Sequence, residues 1–272
     1  IEQIRQAIYQ NGSFARIFDQ TGRNIRAGFF SYNSRFKGGS KIIETDLNGD
    51  GQAETIVAIE GTIIISGGQG ETIKAIFPFG EKYSLGLSIA VADVANDADK
   101  EIIVGAKIGQ ANMIKIYDRT GNLVNPGWHA YSGDWKNLGV NLAAGDINGD
   151  GQNEIVVGAG YGGGPHIRIF TGDGRLLSGG FFAYDKNFRG GVNVAIGDIN
   201  GDGVGEIITG PGYGGNPEVA VFSARGQLLN RWLAYDSKLK SGIEITASDL
   251  DGNNIDEIIT MTTNVFTLSF LN

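Results

Sequence analysis

The chain contains no cysteine, so no disulfide framework holds it together and none reports an oxidising compartment. Proline is scarce at 5 residues and histidine scarcer at 2. Positive charge is in deficit: the formal net charge is −8 and the isoelectric point about 4.8. That balance argues against nucleic acid or an anionic membrane surface as the main partner. No apolar run reaches the roughly 18 residues that a membrane span requires, and no signal peptide is visible. Nucleophilic catalysis has no candidate either, because G-x-S-x-G is missing along with cysteine. The two histidines, His129 and His166, occupy non-equivalent places and neither neighbours a nucleophile motif. The chain is therefore expected not to be an enzyme.

Glycine is abundant instead, with 44 residues, and 41% of the 272 residues are hydrophobic. A disordered chain would lack the Ile, Val and Phe present here. Short strands joined by tight turns use glycine in this proportion.

The organising feature is a repeat. An acidic segment recurs as DLNGDGQAE from Asp46, DINGDGQNE from Asp146, DINGDGVGE from Asp198 and DLDGNNIDE from Asp249, with a degenerate copy, DVANDADKE, from Asp93. An aromatic strand end recurs at the same period of about 50 residues: FFSY, IFPF, WHAY, FFAY and WLAY. In the third unit, residues 140–147 alternate, 154–160 form a short apolar run, 165–171 alternate again, and 175–185 follow a GDG turn. This pattern predicts four strands per unit. Five such units predict an all-β fold, a five-bladed β-propeller of four-stranded blades. Residues 13–32 match the third and fourth strands of a unit, while 243–261 match the first and second. The termini are thus expected to share one blade and close the ring, which removes exposed sheet edges. Residues 265–272, VFTLSFLN, then form a surplus third strand, absorbed as an extra outer strand. A six-bladed ring of incomplete blades is the alternative. Residues 1–12 read as a linker or short helix, and 13–272 as a single domain.

Each acidic segment places oxygen donors at alternate positions of a nine-residue loop, with Gly between them for the sharp turn. The candidate ligands are Asp46, Asn48, Asp50, Gln52 and Glu54; Asp146, Asn148, Asp150, Gln152 and Glu154; Asp198, Asn200, Asp202, Val204 and Glu206; and Asp249, Asp251, Asn253, Ile255 and Glu257. The seventh-position residues would offer backbone carbonyls, the role open to Val204. Calcium takes six to eight such oxygens in flexible geometry. The segment is also good turn chemistry, but four copies retaining the ninth-position Glu favour a metal. Four calcium ions would add +8 against the formal −8. In the loop from Asp93, Ala95 removes the third-position ligand and Asn96 and Ala98 replace both glycines, so a weak or empty site is expected. An EF-hand is excluded, because its twelfth-position Glu is replaced by Val57, Val157, Thr209 and Thr260.

These loops resemble the D-x-[DN]-x-D-G-x-x-[DE] calcium loop of FG-GAP/VCBS repeats, found in integrin α-subunit propellers and many bacterial extracellular proteins. GAGYGGGPHIRIF at 158–170 and GPGYGGNPEVAVF at 210–222 are similar to the Gly-rich part of that repeat. The resemblance covers residues 13–270. It implies a calcium-stabilised propeller at the cell surface or outside the cell, used for adhesion or ligand binding, although integrin rings have seven blades. The expected partner is a protein or a glycan. A lectin-like propeller is the alternative, and a calcium-dependent polysaccharide-active enzyme a third reading. Phe30, Trp128, Phe182 and Trp232 stand at the aromatic ends and read as packing between blades rather than sugar platforms. Tyr161 and Tyr213, in Gly-rich loops, are the better exposed ligand candidates.

Overall fold

A computed structural model of the chain describes residues 14–30, 41–67, 71–132 and 138–262. The segments 1–12 and 265–272, for which a linker and a surplus strand are expected, lie outside the described residues. The first two strands are β1 (Phe14–Phe18) and β2 (Asn24–Phe30). The first complete blade is β3 (Lys41–Thr45), β4 (Glu54–Ile59), β5 (Thr62–Ser66) and β6 (Thr72–Ile76). The second is β7 (Leu87–Ala92), β8 (Glu101–Ala106), β9 (Met113–Tyr117) and β10 (Leu123–His129). The third is β11 (Val140–Gly145), β12 (Glu154–Ala159), β13 (His166–Phe170) and β14 (Leu176–Phe182). The fourth is β15 (Val192–Gly197), β16 (Glu206–Pro211), β17 (Glu218–Phe222) and β18 (Leu228–Leu233). The closing blade combines β19 (Ile243–Ser248) and β20 (Glu257–Thr262) with β1 and β2, in the order β19-β20-β1-β2.

The chain is therefore all-β, a propeller of five four-stranded antiparallel blades, with one blade shared by both ends of the chain. The shared blade is sewn by pairs such as Ala15↔Met261 and Ile17↔Ile259. Each meander alternates direction, so the acidic loops and the hairpins between third and fourth strands lie at one end of every blade. The loops between second and third strands, and the connectors between blades, lie at the other.

A blade has two apolar faces, so its core forms between blades. The second and third blades share Ala90, Ile103, Ile114, Leu142, Ile155 and Val157. Comparable clusters join the first to the second blade, the third to the fourth, and the fourth to the closing blade. The β-branched residues of the second strands suit this doubly covered position; β8, β12 and β16 are buried at every residue.

The first strands β7, β11, β15 and β19 lie side by side about the axis. One register position on the first strands is polar in all five blades: Lys41, Ser88, Asn141, Asn193 and Glu244. Most of these side chains bond to the next blade. Lys41 Nζ donates to Ile89 O at 2.8 Å, Asn141 Nδ2 to Val192 O at 2.9 Å, and Asn193 Nδ2 to Ile243 O at 2.7 Å. Ser88 Oγ accepts from Leu142 N at 2.9 Å. Glu244 is met by Lys107 at 3.3 Å.

A second set of contacts locks the outer parts of the blades. Tyr131, which ends the second blade, lies 2.9 Å from Val157 O and 2.8 Å from His166 O in the third, and donates to this pair. Tyr184 does the same with Thr209 O and Glu218 O, and Tyr235 donates to Thr260 O at 2.9 Å. Burial raises the Tyr131 and Tyr184 phenols and pushes Tyr235 up to about 12, so all three remain donors at neutral pH. A cation from the following blade covers each ring and bonds the nearby backbone. Arg168 lies 5.1 Å from the Tyr131 centroid and donates to Ala130 O, Arg231 covers Tyr184 and bonds Ala183 O, and Arg16 covers Tyr235 and bonds Ala234 O. Lys115 over Phe79, bonded to Pro78 O, repeats the joint between the first two blades.

The aromatic ends need one correction. Phe181, not Phe182, shares the register of Trp128 and Trp232, pairing with Ile167 as they pair with Ile114 and Val219. Trp128, Phe181 and Trp232 pack against the interblade clusters. Phe182 points outward and is exposed, like Leu233, because adjacent residues of a strand face opposite sides. His166 stacks on Phe182 at 4.9 Å, and Phe30 lies in β2, whose side chain is not described.

The joint predicts a measurable asymmetry between tyrosines. Tyr131→Phe leaves the Val157 and His166 carbonyls without their donor and should lower unfolding free energy by about 1–2 kcal/mol in urea denaturation. Tyr161→Phe, on an exposed ring, should change it by less than about 0.5 kcal/mol.

Candidate functional site

The five acidic loops join first to second strands and share one backbone. At the first position, Asp46, Asp146, Asp198 and Asp249 accept the fourth-position N–H, each at 2.7 Å, through Oδ1. Their Oδ2 atoms accept the sixth-position N–H at 2.8–2.9 Å. Those donors are oriented by positive φ at both positions, for instance 78° at Gly149 and 81° at Gly151, a region open to Gly and tolerated by Asn254 at 63°.

At the ninth position a glutamate is buried in every loop: Glu54, Glu101, Glu154, Glu206 and Glu257. Each accepts the N–H of the loop's second residue, at 2.8–3.2 Å. This bond ties the start of the second strand to the end of the first. At the fifth position, Asp50, Asp150 and Asp202 cap the seventh-position N–H, and Asn253 does so for Ile255. At the seventh position, the Gln152 side chain turns toward Asn96 of the neighbouring loop, which donates to it. At the third position, Asn148 and Asn200 donate to the other oxygen of Glu154 and Glu206, whereas Asn48 donates to Asp50.

In the third and fourth loops the third- and ninth-position side chains thus meet, while the first- and fifth-position side chains cap amides of the same turn. In the closing blade, Asp249, Asp251 and Glu257 place one carboxylate oxygen each within 4.8 Å of one another. An all-oxygen donor set of this kind suits a hard divalent cation such as calcium. Electrostatics separate the donors. Gly51 N–H and further loop amides hold Asp46 below the ordinary carboxylate value, and the Asn254 N–H leads the same effect at Asp249. At Asp146 burial acts upward, but the amides of Gly151, Gly149 and Asn148 outweigh it and the net shift is downward. Burial raises Glu101, Glu154 and Glu206, and the neighbouring first- and fifth-position carboxylates add to the rise.

The second loop keeps the same backbone without the same residues. Asn96 and Ala98 take φ of 57° and 76°, and Ala98 N still donates to Asp93 Oδ2 at 3.0 Å. Ala95 offers no side-chain oxygen there. Asp99 is paired instead with Arg119 of the following hairpin, Nε to Oδ2 at 2.8 Å. Adjacent loops are also linked. Lys100 N donates to Leu47 O, Gly205 N to Asp146 O and Asp256 N to Asp198 O, all at 2.8 Å; Asn153 Nδ2 donates to Asp93 O at 2.8 Å. Sequence reading missed these links, which sit at the eighth position, where the residue type varies between blades.

Two equivalent clefts open between blades on the acidic end. One, between second and third blades, has a volume of about 470 Å³ and is lined by Ala95, Asn125, Gln152, Asp173 and Arg175. The other, of about 390 Å³, lies between the fourth and closing blades and is lined by Gln20, Asn200, Glu206 and Asn230. Asn125 and Asn230 share one register position. At the opposite end, Tyr161 and Tyr213 are 66% and 60% exposed, on equivalent Gly-rich loops. Connectors pin those loops, with Gly162 N donating to Arg189 O and Gly214 N to Lys240 O.

Comparison with known proteins agrees with this geometry. Residues 146–209 match the FG-GAP-like repeat family, a span running from the third-blade acidic loop into the second strand of the fourth blade. The chain is 25% identical over 285 residues to integrin alpha-5 of Xenopus laevis, an alignment covering 92% of this chain and 26% of that protein. It thus spans about a quarter of the length of this relative. Among solved structures, an Agrocybe aegerita lectin described as recognising non-reducing terminal N-acetylglucosamine superposes with a TM-score of 0.50 at 17% identity, covering 93% of this chain and 71% of that one. BBS1N, solved in complex with ARL6DN, superposes with a TM-score of 0.52 at 13% identity, covering 92% and 72%. Both likenesses are of fold. No helix among the described residues is long and apolar enough to cross a membrane.

Two tests follow from the loops. Ala98→Gly relieves a left-handed alanine and should stabilise the protein by about 1 kcal/mol, while Gly151→Ala should destabilise it by at least as much. In chelator, the raised Glu101, Glu154 and Glu206 bind protons more readily folded than unfolded. Stability should therefore rise as pH falls from 7 to about 5. Below about pH 4 the lowered Asp46, Asp146 and Asp249 reverse the trend, because the unfolded state then takes up protons first. Thermal melts across this range would show a maximum in mild acid.

Proposed function

We propose that this chain is a calcium-stabilised, non-catalytic ligand-recognition module of an extracellular or cell-surface protein. The observation that carries the calcium reading is the repeated loop. Four loops present an oxygen-only donor set on one backbone, with a buried glutamate beside exposed carboxylates. Asp46, Asn48, Asp50 and Glu54 would hold the ion in the first blade, with the carbonyl of Gln52. Asp146, Asn148, Asp150 and Glu154, with Gln152, serve the third blade. Asp198, Asn200, Asp202 and Glu206, with Val204, serve the fourth, and Asp249, Asp251, Asn253 and Glu257, with Ile255, the closing blade. A bound cation neutralises carboxylates that otherwise repel one another, so its role here is to hold the blade turn. The second loop, with Arg119 supplying its positive charge, works without metal.

The extracellular and adhesive part of the reading is supported by the FG-GAP-like match and the integrin relative. Recognition is assigned to the end opposite the acidic loops, where Tyr161 and Tyr213 project beside Arg189 and Lys240 from rigid supports. A protein ligand is the first reading. The two clefts favour a second, a glycan, because amide and carboxylate side chains surround a volume that admits a sugar residue.

Calcium binding is read directly by metal analysis and calorimetry, with about four ions per chain expected. Asp146→Ala should reduce that number by one, and Asp93→Ala should leave it unchanged. Saturating calcium should stabilise the folded chain by about 2.7 kcal/mol per site at a hundredfold excess over Kd. No bound metal and an unchanged Tm in chelator would refute the metal reading. Glycan arrays with and without calcium separate the ligand classes. Binding lost in Asn125→Ala and Asn230→Ala supports the glycan reading, and loss confined to Tyr161→Ala with Tyr213→Ala places recognition at the opposite end.

A further inference from the structure

The two clefts at the acidic end occupy equivalent places but differ in what they expose. Each is lined by a ninth-position glutamate, Glu101 in the larger and Glu206 in the smaller. Both use Oε2 within the loop. Glu101 Oε2 accepts from Val94 N at 2.9 Å and Ala95 N at 3.0 Å, and Glu206 Oε2 accepts from Ile199 N at 3.2 Å. They part at the second oxygen. Asn200 Nδ2 caps Glu206 Oε1 at 2.6 Å, as Asn148 Nδ2 caps Glu154 Oε1 at 2.7 Å in the third loop. The second loop has Ala95 at that third position, and Glu101 Oε1 accepts no hydrogen bond among the described residues. Glu101 is only 4% exposed, yet this oxygen is not sealed from solvent.

The facing wall is open as well. In the second blade's hairpin, Arg119 is bonded to Asp99 and also feels the charge of Glu54 across the interface with the first blade. The equivalent residue of the third blade's hairpin is Gly172. A Cβ added there would meet Val94 O at 1.9 Å, so no side chain covers Glu101 from that side. Small residues on both walls thus leave a buried carboxylate oxygen facing a cleft of about 470 Å³, a size that encloses small ligands. The acidic loops 93–101 and 146–154 and the hairpins 117–123 and 170–176 that border it lie wholly within the described residues. A charged acceptor with no donor is unfavourable, so a ligand that supplies one gains by pairing it. The other lining residues narrow the ligand class. Asn96 Nδ2 donates to Gln152 Oε1 at 3.3 Å, which leaves the Asn96 carbonyl and the Gln152 amino group to a ligand. Ile116 and Val124 add an apolar patch. Amides beside a small apolar surface match the hydroxyls and the C–H face of a sugar ring. Besides burial, Asp97 and Asp93 act on Glu101, so a further negative charge is repelled. Arg175 lines the same cleft and disfavours a full positive charge.

We propose that the cleft between the second and third blades binds a neutral sugar residue, one of whose hydroxyls donates to Glu101 Oε1, with Ala95 keeping that oxygen open. The proposal rests on the glycan reading of the clefts and assigns it to one of the two. The test uses the full chain in calcium. Methyl glycosides of glucose, galactose, mannose, N-acetylglucosamine and glucuronic acid are titrated by saturation-transfer NMR. At least one neutral glycoside should bind, and the glucuronide should bind at least about tenfold more weakly than that one. Glu101→Gln keeps an oxygen for the Val94 and Ala95 amides but turns an amino group into the cleft, so an acceptor becomes a donor. Affinity should fall at least about tenfold. Ala95→Asn gives the second loop the third-position residue of the third and fourth loops. It should cap Glu101 Oε1 and weaken binding by as much, at an unchanged or higher Tm. Because it follows the pattern of loops that fold, it decides the matter even if Glu101→Gln does not fold. Binding that survives both variants would overturn the proposal, and its loss in Asn230→Ala would then move the sugar to the other cleft and keep the glycan reading. Tighter binding of the glucuronide than of every neutral glycoside would overturn it too. So would no binding of any of these probes, whereas the glycan reading as a whole stands or falls on the arrays.

Discussion

A four-stranded antiparallel blade has two apolar faces and can hide neither alone. Everything else in this molecule follows from the need to press one blade against the next. Burying an Ile or Val side chain contributes about 1.5–3 kcal/mol, and the second strands β8, β12 and β16 are sealed along their whole length only because blades cover them from both sides. The packing is also directional. At the axis, Asn141 and Asn193 bond the backbone of the following blade. Farther out, a tyrosine from one blade and a cation associated with the next form a joint that recurs with substitutions: Arg168 lies on the third strand, whereas Arg231 reaches the same kind of site from the fourth.

The acidic loops are subordinate to that packing and consistent with it. Their buried glutamates each hold the loop's second residue, Leu47, Val94, Ile147, Ile199 or Leu250, by its N–H. In the first four blades that same residue plugs the interblade core. Charge and core are therefore coupled through one residue: moving the loop would move a core side chain. It also gives the second loop, which lacks a third-position side-chain oxygen, a reason to retain its strained backbone around Ala98.

Much of this was legible in advance. Period-two alternation and the repeated acidic and aromatic segments were enough for the blade, the number of blades and the sharing of one blade by both ends, because these depend on local pattern and spacing. The loop residues were legible for the same reason, being close in sequence. The tyrosine joints were not, since Tyr131 and Val157 lie 26 residues apart and nothing local marks their meeting. The placement of Phe182 at a core position failed on a one-residue register shift, which turns a side chain to the opposite face of a strand.

By itself, then, the sequence determined the architecture and the oxygen-donor loops: both are written in short-range periodicity that hydrophobic burial and turn stereochemistry enforce residue by residue. Tertiary structure alone decided which faces meet. It placed Arg168 over Tyr131 and aligned Asn125 with Asn230 in equivalent clefts. Those outcomes depend on the relative positions of blades distant in sequence, and they arise only when the ring assembles.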